Sequence, residues 1–306
     1  MSINFHIPDF VRHLRLNMLI CDMIKRMPQY FREDIAIGSC YGAFPGMMWN
    51  GGRFFAGKTD DMFIKQVIKV FNTSGIPIRF TFTNPLIKEE HLNDPFCNSV
   101  LKLAQNGLNE VIVMSPVLEE YIRSTYPQYP IISSTCKQIK DPEALGSELE
   151  KDYKMVVLDY NFNNNYEFLE KIPHKDKCEI LVNAACIPNC PRRGEHYESI
   201  GRDQIRLARH ESNAAKNKLP PFEPCDFTCE YMLRPIYEPV ETRISPDDLY
   251  GRYVPMGFSN FKIEGRSVTD INLAEAYVFY MMKPEMRDKG RIELLLALTK
   301  NTKYFT

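Results

Sequence analysis

The sequence predicts an α/β fold: a TIM-like (β/α)8 barrel, regular or distorted, with a cysteine-rich insertion before its last strand. Three observations predict it. From residue 61 onward, helical patterns alternate with short apolar runs that end in polar residues. Parallel strands cannot be joined by tight turns, so such alternation means a parallel sheet with helical crossovers. The apolar runs number eight when the short ones are included, which favours closure into a barrel over an open doubly wound sheet. No nucleotide-binding glycine fingerprint follows the first of them, which counts further against the open alternative.

The chain reads as a single domain, 1–306. Residues 1–33 are an N-terminal helical segment opening at Pro8-Asp9, with Phe10, Val11, Leu14, Met18 and Ile24 spaced to pack on the outside. The barrel core takes 34–193 and 254–283. Its first strand is Ile35–Gly38, running into Ser39-Cys40-Tyr41-Gly42, and Gly51–Phe55 is a short second strand. The helix Asp61–Phe71 leads to the strand Ile78–Thr83, which ends at Asn84. Asp94 caps a helix Pro95–Gln105 that Gly107 closes, and Val111–Met114 follows. Leu118–Tyr126 leads to Ile131-Ile132 and then Ser133-Ser134-Thr135; Leu145–Glu150 leads to Met155–Leu158 and Asp159. Tyr166–Ile172 leads to Ile180–Val182 and Asn183. The insertion, 194–253, holds an exposed helix Arg202–Ala215, and Phe258–Ile263 is the last strand. Helices Ile271–Met282 and Glu285–Leu298 cover or close the barrel, the second in a C-terminal segment 284–306.

Hydrophobic residues are 44% of the chain and charged residues 25%, the composition of a globular protein and not of a disordered one. A formal net charge of -1 gives no global attraction to nucleic acid or acidic lipid, so such binding must rest on a local patch. Arg192, Arg193, Arg202, Arg206 and Arg209 are close enough in sequence to form one. No run approaches the length of a membrane span. Leu16–Ile24 is interrupted by Asp22 and flanked by Arg12, Arg15 and Lys25, unlike a signal peptide. The expectation is a cytoplasmic protein with no membrane partner.

Cytosolic thiols stay reduced unless they bind metal or do chemistry. Of the nine cysteines, four form two matched pairs, Cys186-Ile-Pro-Asn-Cys190 and Cys225-Asp-Phe-Thr-Cys229. Thiolates are soft donors that suit zinc or an iron-sulfur cluster, and the Arg-, Lys- and Pro-rich segment between the pairs needs such a staple. Four ordinary reduced thiols are the plain alternative. Cys21, Cys97, Cys136 and Cys178 read as core or bystander residues. An insertion between the last two strands of a barrel lies on the face where barrel enzymes place their sites, so the cysteines border an active site.

The run Gly257-Phe-Ser-Asn-Phe-Lys-Ile-Glu-Gly-Arg266 resembles the Lys-Ile-Glu-Gly-Arg signature of the collagenase-like peptidase U32 family, where that motif ends the last barrel strand. A glycine pair before Arg53, a strand ending in Asn84, Ser-Ser-Thr at 133–135 after a Tyr-Pro, and a strand running into a cysteine occur in the family's order. The resemblance spans Ile35 to Tyr280. It implies a barrel carrying a 4Fe-4S cluster on four cysteines and oxygen-independent hydroxylation or modification of an RNA base or small aromatic substrate, with peptidase as the older family label. The spacing departs from the family's: Cys190 follows Cys186 more closely than usual, and a long insertion displaces Cys225 and Cys229. Some relatives draw one ligand from the end of the first strand, where Cys40 stands in reserve for Cys190.

Lys262, Glu264 and Arg266 alternate along a strand and share one face, as a structural ion network or as a substrate clamp. Arg266, nearest the open end, suits a carboxylate or phosphate. His196 follows two arginines and is either a proton donor or a solvated loop histidine. These four are the candidate catalytic residues. Arg53, Asn84, Ser134, Asp159, Asn183 and Arg193 are candidate substrate contacts. The partner implied is an anionic small molecule or RNA, with the electron or oxygen donor left open. No Ser/His/Asp order, zinc-protease helix or P-loop is present, so proteolysis has no visible nucleophile. A noncatalytic RNA- or protein-binding barrel with structural zinc is the reading from another class.

Overall fold

The computed structural model describes residues 2–214, 221–224 and 234–300. Eight strands close into a parallel barrel: β1 (Ile3–Pro8), β2 (Ile35–Gly42), β3 (Ile78–Phe82), β4 (Glu110–Val113), β5 (Ile131–Ser133), β6 (Met155–Val157), β7 (Cys178–Leu181) and β8 (Asn260–Lys262). Each pairs in parallel with the next, and β8 pairs with β1. Strand number and closure agree with the sequence reading, but one strand differs. The first is Ile3–Pro8, inside the segment expected to be helical, and Gly51–Phe55 is not a strand. Ile3, Phe5 and Ile7 alternate with Asn4 and His6, the period of a strand; the helical spacing seen further on belongs to α1 (Leu14–Arg26). Gly52 sits at φ +71°, a left-handed backbone that breaks a strand at that point.

Capping explains where the outer helices begin. Asp60, Asp94, Ser115, Asp141 and Asn165 each accept a backbone N–H at the start of α2 (Asp61–Asn72), α3 (Pro95–Leu103), α4 (Pro116–Thr125), α5 (Pro142–Glu150) and α6 (Tyr166–Lys171). Proline at the first turn of α3, α4 and α5 removes a donor that would otherwise be orphaned. Within the insertion, α7 (Arg193–Ala214) replaces the expected helix Arg202–Ala215. It is not an exposed helix: Ile200, Gln204, Ile205 and Leu207 are buried. Helices Asp270–Met281 and Arg287–Lys300 complete the outer layer. No helix among the described residues is long and apolar enough to cross a membrane.

The main core lies between strands and helices, and the barrel interior is divided by polarity. Towards the N-terminal ends of the strands, wholly buried Arg79 pairs with both Glu110 and Glu179. Glu179 also accepts from Lys262 Nζ at 2.8 Å, and Glu110 from Lys154. His6 joins this layer through Ser39 and Asn260. Above it, Tyr41, Ile112, Ile132 and Val157 form an apolar plug. This plug is the floor on which the site is built.

Candidate functional site

A cavity of about 520 Å³ opens at the C-terminal end of the barrel. Tyr41, Ile112, Val157 and Leu181 form an apolar floor, while Arg53, Lys262, Glu264 and Arg266 bring charge to the wall. Ser134 to Cys136, Cys186 to Cys190 and the start of α7 complete the rim.

Three close approaches fix this mouth. A Cβ on Gly51 would stand 2.3 Å from the Thr83 carbonyl oxygen, so only glycine lets the 45–58 loop pass over β3. A Cβ on Gly52 would meet the Arg266 guanidinium at 2.8 Å. On α7, a Cβ at Gly201 would lie 2.3 Å from Asn84 Oδ1. Asn84 therefore does not contact the cavity. Its amide donates to the Met48 and Gly201 carbonyls at 3.0 Å each, docking α7 on the end of β3.

Lys262, Glu264 and Arg266 do share one face and all line the cavity, but they do not pair with one another. Lys262 is held by Glu179 and stands 3.9 Å over the Tyr41 ring. Burial lowers its pKa, against the opposing pull of Glu179. Glu264 pairs with Arg53, which also donates to the Gly52 carbonyl and to Ser267 Oγ. Arg266 donates to Asn50 Oδ1 and Thr81 Oγ1 at 3.0 Å and to the Gly51 carbonyl at 2.6 Å. All three acceptors are neutral. No carboxylate among the described residues lies within ion-pairing distance of it, and burial pushes its pKa down.

Arg193 is turned inward. Its guanidinium donates to Asp159 at 2.6 Å, to Thr135 and to the Tyr197 hydroxyl, and it stacks 4.0 Å over the Tyr160 ring. Asp159 thus anchors α7 from behind the wall. Asn183 exchanges two hydrogen bonds with the backbone of Glu264, so it fixes the extension of β8. Ser134 reaches the cavity and accepts the Cys136 amide. His196 lies on the rim, and burial together with Arg53 and Arg192 lowers its pKa to about 4. Its imidazole is therefore neutral near pH 7.

Of the other arginines expected to form a basic face, Arg192 faces Glu195 at 3.7 Å, Arg206 faces Asp203 at 2.7 Å and Arg209 faces Glu90 at 2.9 Å, while Arg202 is exposed.

Of the expected thiol ligands, Cys186 and Cys190 lie on the cavity wall, while Cys225 and Cys229 lie outside the described residues. Cys40 is not available to this group. It is wholly buried between β2 and α1, where Asn17 Nδ2 is 3.3 Å from its sulfur. Cys136, read from sequence as a bystander, lines the same cavity; its position directly after Ser-Ser-Thr at a strand end was the signal that placed it there. Among the described residues, no three His, Cys, Asp or Glu side chains are grouped to hold a metal by themselves. Cys186 and Cys190 supply two soft donors, and the buried Tyr160 hydroxyl lies against Cys186 without a partner in full hydrogen-bonding geometry among the described residues. That donor fits a negatively charged sulfur, as a metal-bound thiolate would be. Burial pushes the Cys186 thiol up in pKa, offset in part by Tyr160, Arg53 and Arg193.

No family profile matches the sequence, and no curated protein sequence matches it. Among solved structures, the chain is similar to the U32 peptidase Mk0906, with a TM-score of 0.51 and 13% identity over 88% of this chain and 95% of that one. At this identity the likeness establishes a shared fold.

Proposed function

We propose that the chain is a U32-type barrel enzyme that binds a small anionic substrate in the mouth cavity and carries a thiolate-ligated 4Fe-4S cluster at its rim. The reaction class is oxygen-independent hydroxylation or a related modification of a small aromatic molecule or RNA base. The observation that carries the substrate half is Arg266, a desolvated guanidinium on the cavity wall whose protein partners are all neutral. A buried cation without a counter-charge is costly unless an anion completes it. The floor of Tyr41, Ile112, Val157 and Leu181 suits an apolar or aromatic body next to that anionic group. Neutral His196 on the rim is suited to take a proton from a bound ligand.

Cys186 and Cys190, with Cys225 and Cys229 downstream, are the residues that would hold the cluster, which when bound would accept electrons from the substrate as water supplies the oxygen, or would bind an oxygen donor. Zinc on the same thiolates is the competing occupant, with a structural role only. The pairing of Arg192, Arg206 and Arg209 with carboxylates favours a small anion over extended contact with an RNA backbone.

Anaerobic purification with iron, sulfide and zinc assays tests the cluster, and calorimetric titration with benzoate and with uridine monophosphate tests the anion site. The expected result is brown protein with about four irons per chain, whose colour is lost in Cys186→Ala. Colourless protein holding one zinc overturns the cluster half. Hydrolysis of a peptide library by the purified chain, abolished by substitutions in the cavity, would turn the reading towards a peptidase.

A further inference from the structure

Tyr160 carries an observation that the anion site leaves unused. Its ring packs with Leu181 and Ala184 in the turn after β6 and is only 3% exposed. The Arg193 guanidinium stacks on it at 4.0 Å, and Arg193 is itself fixed by Asp159, Thr135 and Tyr197. The hydroxyl of this tightly held ring lies against the Cys186 sulfur and interacts with it, short of full hydrogen-bonding geometry, and no other group among the described residues meets it.

Leaving a buried hydroxyl poorly paired is destabilising, and native proteins rarely leave one so without reason. A neutral thiol is a weak acceptor, whereas a thiolate is a strong one that shortens and strengthens the bond it receives. The side chain is therefore aimed at a sulfur that becomes a strong partner when it ligates a metal. Phenylalanine would fill the same apolar niche without the poorly paired oxygen, so packing alone does not account for tyrosine here.

We infer that Tyr160 is a positioning residue that donates a hydrogen bond to the Cys186 thiolate when that sulfur ligates the cluster, an inference that rests on the cluster reading above. Ligand sulfurs become more negative when a cluster gains an electron, so a donor aimed at one of them favours the reduced state and raises the reduction potential. Arg193, stacked on the ring and tied into α7, holds the donor in place.

The test compares anaerobically reconstituted wild-type protein with Tyr160→Phe, measuring iron and sulfide content and the potential by redox titration. The expected result is unchanged iron content and an oxidised-to-reduced equilibrium shifted about tenfold towards oxidised, about 59 mV for one electron. Replacing Tyr160 by 3-fluorotyrosine, a stronger donor of the same shape, should raise the potential, and it keeps the inference testable where the phenylalanine variant folds or loads poorly. A loaded wild-type cluster whose potential is the same in both variants overturns the inference and leaves the cluster reading intact. Wild-type protein that takes up no iron overturns both.

Discussion

Replacing Arg266 by glutamine removes one positive charge from the cavity wall and should separate ligand binding from folding. In the folded chain, Arg266 makes three hydrogen bonds, to Asn50, Thr81 and the Gly51 carbonyl. At about 0.5–1.5 kcal/mol each, their loss would cost roughly 1.5–4.5 kcal/mol. The same substitution removes a desolvated charge that no carboxylate among the described residues pairs with directly, Asp9 acting on it only from a greater distance, which returns a comparable amount, since burial of an ion costs several kcal/mol. The net change in stability should therefore be about 1 kcal/mol or less, or about 2–4 °C in melting temperature. An anionic ligand, by contrast, loses the one cavity cation among the described residues that no carboxylate pairs with. Removing one partner of a buried charge pair at a binding site costs about 2–4 kcal/mol, which is roughly 30- to 700-fold in affinity. Thermal melts beside calorimetric titration of benzoate decide between the two readings. A loss of 10 °C or so with unchanged affinity in the folded fraction would refute the argument and make Arg266 a structural residue.

The opposite pattern is expected for Glu179→Gln. Burial alone would raise the Glu179 pKa, but Lys262, His6 and Arg79 hold it well below the usual carboxylate range, so its contribution is present above the unfolded carboxylate pKa and fades as pH falls through the folded value. Removing it strands Lys262 and leaves Arg79 paired with Glu110 alone, which should cost about 3–5 kcal/mol by denaturant melts at pH 7, and a loss under 1 kcal/mol would show that the layer has rearranged. His6, lowered to about 3 by burial, Arg79 and Lys262, binds its proton more readily unfolded than folded. Stability should therefore fall on acidification from about pH 6.5, by roughly 2 kcal/mol at pH 5, and His6→Gln should flatten that slope; an unchanged slope assigns the acid sensitivity elsewhere. Gly201→Val should lift α7 from Asn84, and partial proteolysis should then cut within α7 while the barrel survives; equal resistance to wild type would refute that docking role.

The barrel was legible because its grammar is local. Each apolar run from Ile78 onward lies near a capping residue and a helix with an apolar stripe, and these are signals of sequence spacing alone. The first strand was not, because Ile3–Pro8 is short and adjoins a longer helical pattern that claims its residues. Its identity as a strand depends on hydrogen bonds to β2 and β8, the latter more than 250 residues away. The substitution of Gly51–Phe55 for it preserved the count of eight while misplacing the register of the N-terminal third. The exposed reading of α7 failed for a related reason. Its arginines Arg202, Arg206 and Arg209 are exposed, but Gln204, Ile205 and Leu207 between them are buried, and Gln204 is held by Asn50 and Phe55 from the distant 45–58 loop.

The same limit explains the site. Alternation along β8 correctly placed Lys262, Glu264 and Arg266 on one face, since that follows from strand geometry. It could not say what each side chain meets, because the deciding partners come from β2, β3, β7 and the 45–58 loop. Lys262 falls beside Glu179 and becomes part of the charged layer. Glu264 falls beside Arg53, which leaves neither as an uncompensated charge. Arg266 falls among an amide oxygen, a hydroxyl and a backbone carbonyl, all of which accept hydrogen bonds but none of which cancels charge. Removing Glu264 therefore liberates Arg53 and leaves Lys262 paired, so Glu264→Gln should tighten an anionic ligand by adding a second open cation, not unfold the barrel. Unchanged or weaker benzoate binding in a Glu264→Gln chain of wild-type stability would show that Arg53 points its charge away from the bound anion, and the cationic wall would then reduce to Arg266 alone.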